Sequence, residues 1–318
     1  MFEMFENFSK QNEEAYKQKG QQSMHGMDSK VFVISAGGSV FFDSPPNAEL
    51  IAKLANSVDR LSGEGYKIVL VAGGGKTARN YVEAAEQFNA NKFELDKIGI
   101  AATRLNAQLL INALQNPGNE VLTKVEDAAK VLDEGKVPVF GGLIPSFTTD
   151  AVAALIAEYL DATFINLTNV EGIYSSDPRK NTGAELLQEI SYEKLVEMIV
   201  KKGSKPGQNI VLDLPCCLIL QRSNLNGLVL NGNNIENFER AVRGKQFNGT
   251  VISGSEDADI SGPVGEIETE IIPGKIKPAR KKRKFSKPSS RKTGKKIPQK
   301  TKRDEFDPHD VYRIDFGR

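Results

Sequence analysis

Three times in this chain a short apolar run ends in glycine and gives way to a segment of helix length, at residues 30–36, 67–72 and 137–140. Runs that are apolar throughout suit strands buried on both faces. Helix-length connections between them return the chain to the same edge, so the pattern predicts a largely parallel α/β sheet. Helices are expected at 47–61, 77–88, 98–114, 125–133, 149–160, 191–201, 215–222 and 235–243, with further strands at 163–167, 227–230 and 249–252. The pattern occupies residues 30–253, an ordinary size for one α/β domain.

Outside that stretch the composition changes. Residues 1–29 are rich in Gln, Glu, Asn and Lys and read as a polar extension without a signal-peptide apolar core. Residues 254–318 form a charged tail, acidic at first, then basic over 275–303, then mixed. Both extensions are expected to be disordered, because so few apolar groups cannot offset the entropy of ordering. The basic strip holds 15 Lys and Arg and no acid, so a formal net charge of +1 hides a remainder of −14. Nucleic acid could be bound only through this strip, by phosphate neutralisation. No apolar run reaches the length of a membrane span, and a cytoplasmic protein is expected.

The two histidines, His25 and His309, lie in the extensions. A core without imidazole excludes Ser-His-Asp and Cys-His catalysis and the common zinc sites. Cys216 and Cys217 are adjacent in an apolar setting and read as packing residues. Three glycine turns follow the first strands: Ala36-Gly37-Gly38-Ser39, Gly73-Gly74-Gly75-Lys76, and Gly141-Gly142 leading to Thr148-Thr149-Asp150. Each brings bare backbone N–H groups toward a helix N-terminus, where phosphate binds well. The Walker A spacing is absent, since Leu70 stands where its first glycine belongs, and no G-x-G-x-x-G follows a strand. Lys76 and Arg79 share one helical face beside the second turn. Asp150 suits a helix dipole or a metal, and Tyr174 and Asp177 follow a strand end as a purine-flanking pair could.

The segments VISAGGSV, VAGGGKTARNYVEAA, GGLIPSFTTDAVAALIAEYLDA and LTNVEGIYSSDPRK, with the ending RAVRGKQFNGTVIS, resemble the archaeal-type uridylate kinases of the amino-acid kinase superfamily. The resemblance covers about residues 30–253. It implies a three-layer αβα sandwich around a mainly parallel eight-stranded sheet, a homohexamer, and transfer of the ATP γ-phosphoryl group to UMP with Mg2+ in pyrimidine nucleotide biosynthesis. It also implies that Gly38, Ser39, Gly75 and Arg79 contact ATP phosphates and that Thr168, Asn169, Tyr174 and Asp177 hold adenine and ribose. UMP would be held by Gly74, Asp96, Ile144, Pro145, Ser146, Phe147, Thr148, Thr149 and Asp150, with Lys76, Arg79 and Asp150 serving catalysis. No side-chain metal ligand is assigned, the Mg2+ arriving with ATP.

The chain departs from that pattern at Ser35, where many relatives carry a first-strand lysine, and at LIPSF, where they often carry Gly or His before the threonines. Another small-acceptor kinase of the same superfamily, or a nucleotide- or RNA-binding protein with a vestigial site, stays open on the sequence alone.

Overall fold

The computed structural model describes residues 30–176, 178, 181–202 and 211–254. The chain divides into units 1–260 and 261–318, and everything described lies in the first. The expectations for residues 1–29, for the tail beyond Gly254 with its basic strip, and for Asp177 fall outside the described residues.

Seven strands form one sheet in the order β3-β2-β1-β4-β8-β9-β7. β1 (Val31–Ala36), β2 (Lys67–Ala72), β3 (Val139–Phe140), β4 (Thr163–Thr168) and β8 (Gly227–Asn231) run parallel. β9 (Thr250–Ser253) is antiparallel to β8 and parallel to β7 (Glu189–Ser191). β5 (Ile173–Tyr174) and β6 (Leu186–Leu187) make a separate antiparallel ribbon. The main sheet therefore has one strand fewer, among the described residues, than the resemblance implies.

Side chains alternate along each strand between two cores, as the pleat requires. Phe32, Ile34 and Ala36 of β1, with Ile165 and Leu167 of β4, face one core. That core is covered by α1 (Gly38–Phe41), α2 (Ala48–Gly63), the C-terminal part of α4 (Lys92–Ala113) and α9 (Ile235–Val242). Val33, Val69, Val71, Phe164 and Val229 face the other, which is covered by α5 (Asp127–Asp133), α6 (Thr149–Leu160), α7 (Tyr192–Lys202) and α8 (Leu214–Arg222). α3 (Gly75–Glu86) packs on α4. Three layers result, because a sheet apolar on both faces must be covered twice.

Helix starts follow local capping. The side chains of Asn47, Asn91, Thr148, Asp213 and Asn234 each accept a backbone N–H from the first turn of α2, α4, α6, α8 and α9. Helix α6 occupies the expected residues. Helix α4 begins six residues before the expected 98, because Asn91 Oδ1 accepts the Glu94 N–H at 3.0 Å. The expected strand at 137–140 shortens to two residues, since Pro138 has no N–H to give. Cys216 and Cys217 are buried, and burial pushes both thiols up. Among the described residues no helix is long and apolar enough to cross a membrane.

A partly buried ion cluster joins α2 to α9: Arg243 donates to Glu64 at 2.8 and 2.9 Å and to Glu239 at 2.8 Å, and Arg60 also pairs with Glu239. The fully buried Leu54 contributes more. Leu54→Ala should lower the unfolding free energy by roughly 3 kcal/mol, and Arg243→Ala by a small fraction of that. Urea denaturation of both variants checks the ranking; an ion-cluster variant that is the less stable of the two contradicts it.

Candidate active site

Four adjacent parallel strands, β3, β2, β1 and β4, end at one rim of the sheet, and the loops that leave them build the site. Ligand clefts form at such carboxyl ends. Gly37 N–H donates to Leu167 O at 2.9 Å, tying the end of β1 to β4, and Gly73 N–H donates to Ala36 O at 3.0 Å, tying β2 to β1. The first two glycine turns then touch directly. A Cβ on Gly38 would collide with the Gly75 backbone, and one on Gly73 with Gly38 N. Gly75 has φ +59°, and a Cβ there would be driven into the Phe42 carbonyl oxygen.

Helix α4 supports the turns from beneath. Asn106 Nδ2, buried, donates to the carbonyls of Gly73 and Gly74 at 2.8 and 3.1 Å. Because C=O and N–H point opposite ways in a trans peptide, this turns the amides of Gly74 and Gly75 away from α4. Thr103 Oγ1 accepts the Gly142 N–H at 2.6 Å, and Arg104 Nε donates to Gly142 O at 3.2 Å, seating the third turn. The amides of Gly38, Ser39, Gly74 and Gly75 find no acceptor among the described residues. They are unpaired donors converging on one place.

Two clefts result. One of about 390 Å³ is bordered by Gly38, Ser39, Gly75, Arg79, Asp150, Thr168 and Asn169. The other, of about 320 Å³, lies between α3 and α4 and is bordered by Asp96, Ile144, Phe147 and Thr148. Gly74 and Thr149 border both, so the clefts meet at that edge. Pro145 and Ser146 belong to the same loop but line neither cleft; Ser146, at φ +69°, donates its N–H to Asp96 Oδ2 at 2.8 Å. Lys76 is exposed and outside both linings, as is the half-buried Tyr174 on β5.

Ser35 and Asn166 are paired across β1 and β4, on the face that α6 covers. Ser35 Oγ donates to Asp150 Oδ1 at 2.6 Å and Asn166 Nδ2 donates to the same oxygen at 2.8 Å. Withdrawal from water pushes the Asp150 carboxyl from 3.8 up to about 6; the charge of Asp213 adds to this, and the two hydrogen bonds oppose it. Asn166 Oδ1 is buried with no hydrogen-bond partner among the described residues, and Asn166 borders the larger cleft beside Asp150. The pair offers hard oxygen donors of the kind Mg2+ takes. The Thr148 hydroxyl caps α6 by accepting Ala151 N–H at 3.2 Å and donates to Asp213 Oδ2 at 2.8 Å, leaving Thr149 as the hydroxyl at the shared edge.

Sequence reasoning passes over Asn106, Thr103, Asn166, and Asp213 as a partner of Thr148. Ser35 and Asn166 carry a readable signal: each is a polar residue set among the apolar residues of its strand, in VFVISA and in the FINL of β4.

The sequence matches the amino acid kinase family over residues 30–231. The chain belongs to the amino acid kinase family. Within that family it is 42% identical to the uridylate kinase of Pyrococcus abyssi over 69% of this chain and 98% of the relative. It is 40% identical to the uridylate kinase of Archaeoglobus fulgidus over 70% and 99%. The crystal structure of the Archaeoglobus fulgidus enzyme superimposes with a TM-score of 0.63 at the same 70% and 99% coverage. The UMP kinase of Ureaplasma parvum, 25% identical, gives 0.59 and covers 71% of this chain and all of its own. Both structures share the amino acid kinase fold described above.

Because the folded state binds the Asp150 proton more tightly than the unfolded chain, the stability this group gives is full below 3.8 and is lost as pH rises through about 6. Asp150→Asn keeps an oxygen to accept from Ser35 and Asn166 and removes the charge. It should melt no lower than the parent near neutral pH, lack the parent's loss of stability between 3.8 and about 6, and lose turnover. Thermal denaturation across pH checks this; a variant less stable than the parent near neutral pH contradicts it.

Proposed function

We propose that this protein is a uridylate kinase, a phosphotransferase that moves the γ-phosphoryl group of ATP to UMP and releases UDP and ADP. The observation that carries this reading is the shared edge at Gly74 and Thr149, where two clefts of nucleotide proportions meet. The uridylate kinases to which the chain is about 40% identical, over nearly their whole length, support uridylate as the acceptor.

In this reading the larger cleft takes ATP. Gly38, Ser39 and Gly75 would meet its phosphates with backbone amides, Arg79 and the neighbouring Lys76 would meet them with charge, and Thr168, Asn169, Tyr174 and Asp177 would hold the nucleoside. The smaller cleft takes UMP, with Asp96 at the ribose, Thr149 at the phosphate, and the loop of Ile144, Pro145, Ser146 and Phe147, leading to Thr148, closing over the nucleotide. Bound Mg2+, held by Asp150 and Asn166, would supply neutralisation of the ATP phosphate charge. The acceptor oxygen of UMP is already an anion, so no general base is needed. The protein's part is alignment of the two phosphates and stabilisation of spreading negative charge by fixed amide dipoles. The absence of core histidine accords with this.

Self-association is part of the proposal. Tyr81 and Phe88 on α3 and its end, with Phe93 and Leu105 on α4, are 58–82% exposed. Large apolar side chains left open on adjoining helices suit burial between subunits, in keeping with a homohexamer.

Coupled ADP release with UMP, CMP, acetylglutamate and carbamate as acceptors tests the reading. Turnover is expected with UMP; turnover with an amino acid or carbamate but none with UMP would overturn it.

A further inference from the structure

Glu171 is bonded through both carboxylate oxygens to carboxamides from two places, the end of β8 and the loop before β9. Asn231 Nδ2 donates to Oε1 at 2.7 Å, and Asn248 Nδ2 donates to Oε2 at 2.9 Å. The first amide cannot turn over, because Asn231 Oδ1 accepts from N and Nδ2 of Asn233 at 2.9 and 3.0 Å. The second is held by its backbone: Asn248 N–H donates to Asn237 Oδ1 at 2.8 Å, and Asn237 Nδ2 donates back to Asn248 O at 2.7 Å. Asn237 lies in α9, so the clamp is rooted in a packed helix.

Glu171 follows directly on Thr168, Asn169 and Val170, which border the larger cleft. The segment is fixed before and after the clamp as well. Gly232 N–H donates to Thr168 O at 2.8 Å. Ile173 N–H donates to Thr250 Oγ1 at 2.8 Å, and Thr250 Oγ1 donates to Leu187 O at 2.5 Å. A Cβ on Gly172 would collide with Thr250, so the loop lies flat on β9. Ordering a glutamate side chain costs rotamer entropy, and both partners here are neutral amides. What the contact accomplishes is to fix the height of the loop against the rim.

Resting on the reading of this cleft as the ATP side, we propose that Glu171 is a positioning residue for ATP. It sets Thr168 and Asn169 through Asn231 and Asn248 without touching the nucleotide.

Donor and acceptor polarity makes the proposal testable by a reciprocal exchange that leaves the net charge of the parent unchanged. Glu171→Gln sets an NH2 group against one of two NH2 groups. Asn248→Asp sets a carboxylate against a carboxylate. Together they restore complementarity: the carboxamide introduced at position 171 donates to the carboxylate introduced at position 248, and its oxygen accepts from Asn231.

Each single variant of the full-length protein should raise KM for ATP about tenfold with little change in KM for UMP, and the double variant should return it toward the parent. Protection against thermal unfolding by ATP should fall and recover in the same order. Singles that lower the melting temperature while KM for ATP and ATP protection stay at parental values overturn the proposal, as does a double variant no better than the worse single. A parent that ATP protects but that does not phosphorylate UMP fails the functional reading while leaving the clamp open to scoring by protection. A parent that ATP does not protect overturns both.

Discussion

Gly37–Gly38 and Gly73–Gly75 lie backbone against backbone, and that approach lets four strand ends share one rim. Any side chain at Gly38, Gly73 or Gly75 would meet a main-chain atom of the neighbouring turn or of Phe42. Without side chains, the amides of Gly38, Ser39, Gly74 and Gly75 are brought to one place unpaired. On the proposed function, anion recognition would therefore be a property of the main chain, and few cations would be required. A domain with formal charge −3 over residues 30–254 could take the proposed polyphosphate for that reason. Asn106, Thr103 and Arg104 of α4 serve the same end from below, spending their hydrogen bonds on glycine carbonyls and one glycine amide.

The floor of the larger cleft follows a second logic. Asp150 is withdrawn from water, and its partners Ser35 and Asn166 are neutral. Ser35 offers a hydroxyl and no charge, so the carboxylate has no cationic partner among the described residues. Such a group costs stability near neutral pH. The unpartnered Asn166 Oδ1 beside it has the same character. Both are oxygens suited to a cation, and both sit where the ATP phosphates are proposed to lie.

Much of this is legible in the sequence, for definite reasons. Uninterrupted apolar strands announce a sheet covered twice, and the glycine turns after β1, β2 and β3 announce the rim. The LIPSF segment ends in Thr148-Thr149-Asp150, and helix α6 begins there as expected. Strands of two or three residues, β5, β6 and β7, escape because they carry no periodicity and exist only through their partners. The early start of α4 escapes because its cue is the cap at Asn91, not the apolar stripe farther on. Ser35 and Asn166 are visible as polar breaks in apolar strands, yet that they share one carboxylate follows only from the register that sets them side by side. Thr148 reads in sequence as a ligand or a cap; its hydroxyl is engaged by Ala151 and Asp213.

On the proposed function the two clefts are the donor and acceptor halves of one site, joined at Gly74 and Thr149. A single molecule that carries adenosine at one end and uridine at the other, linked by a polyphosphate, tests it most directly. If the clefts are joined, this compound competes with both ATP and UMP and binds much more tightly than ATP alone, because the second half binds as an intramolecular step. Competition with ATP only, at the affinity of ATP and with KM for UMP unchanged, would mean that the two clefts are not halves of one site.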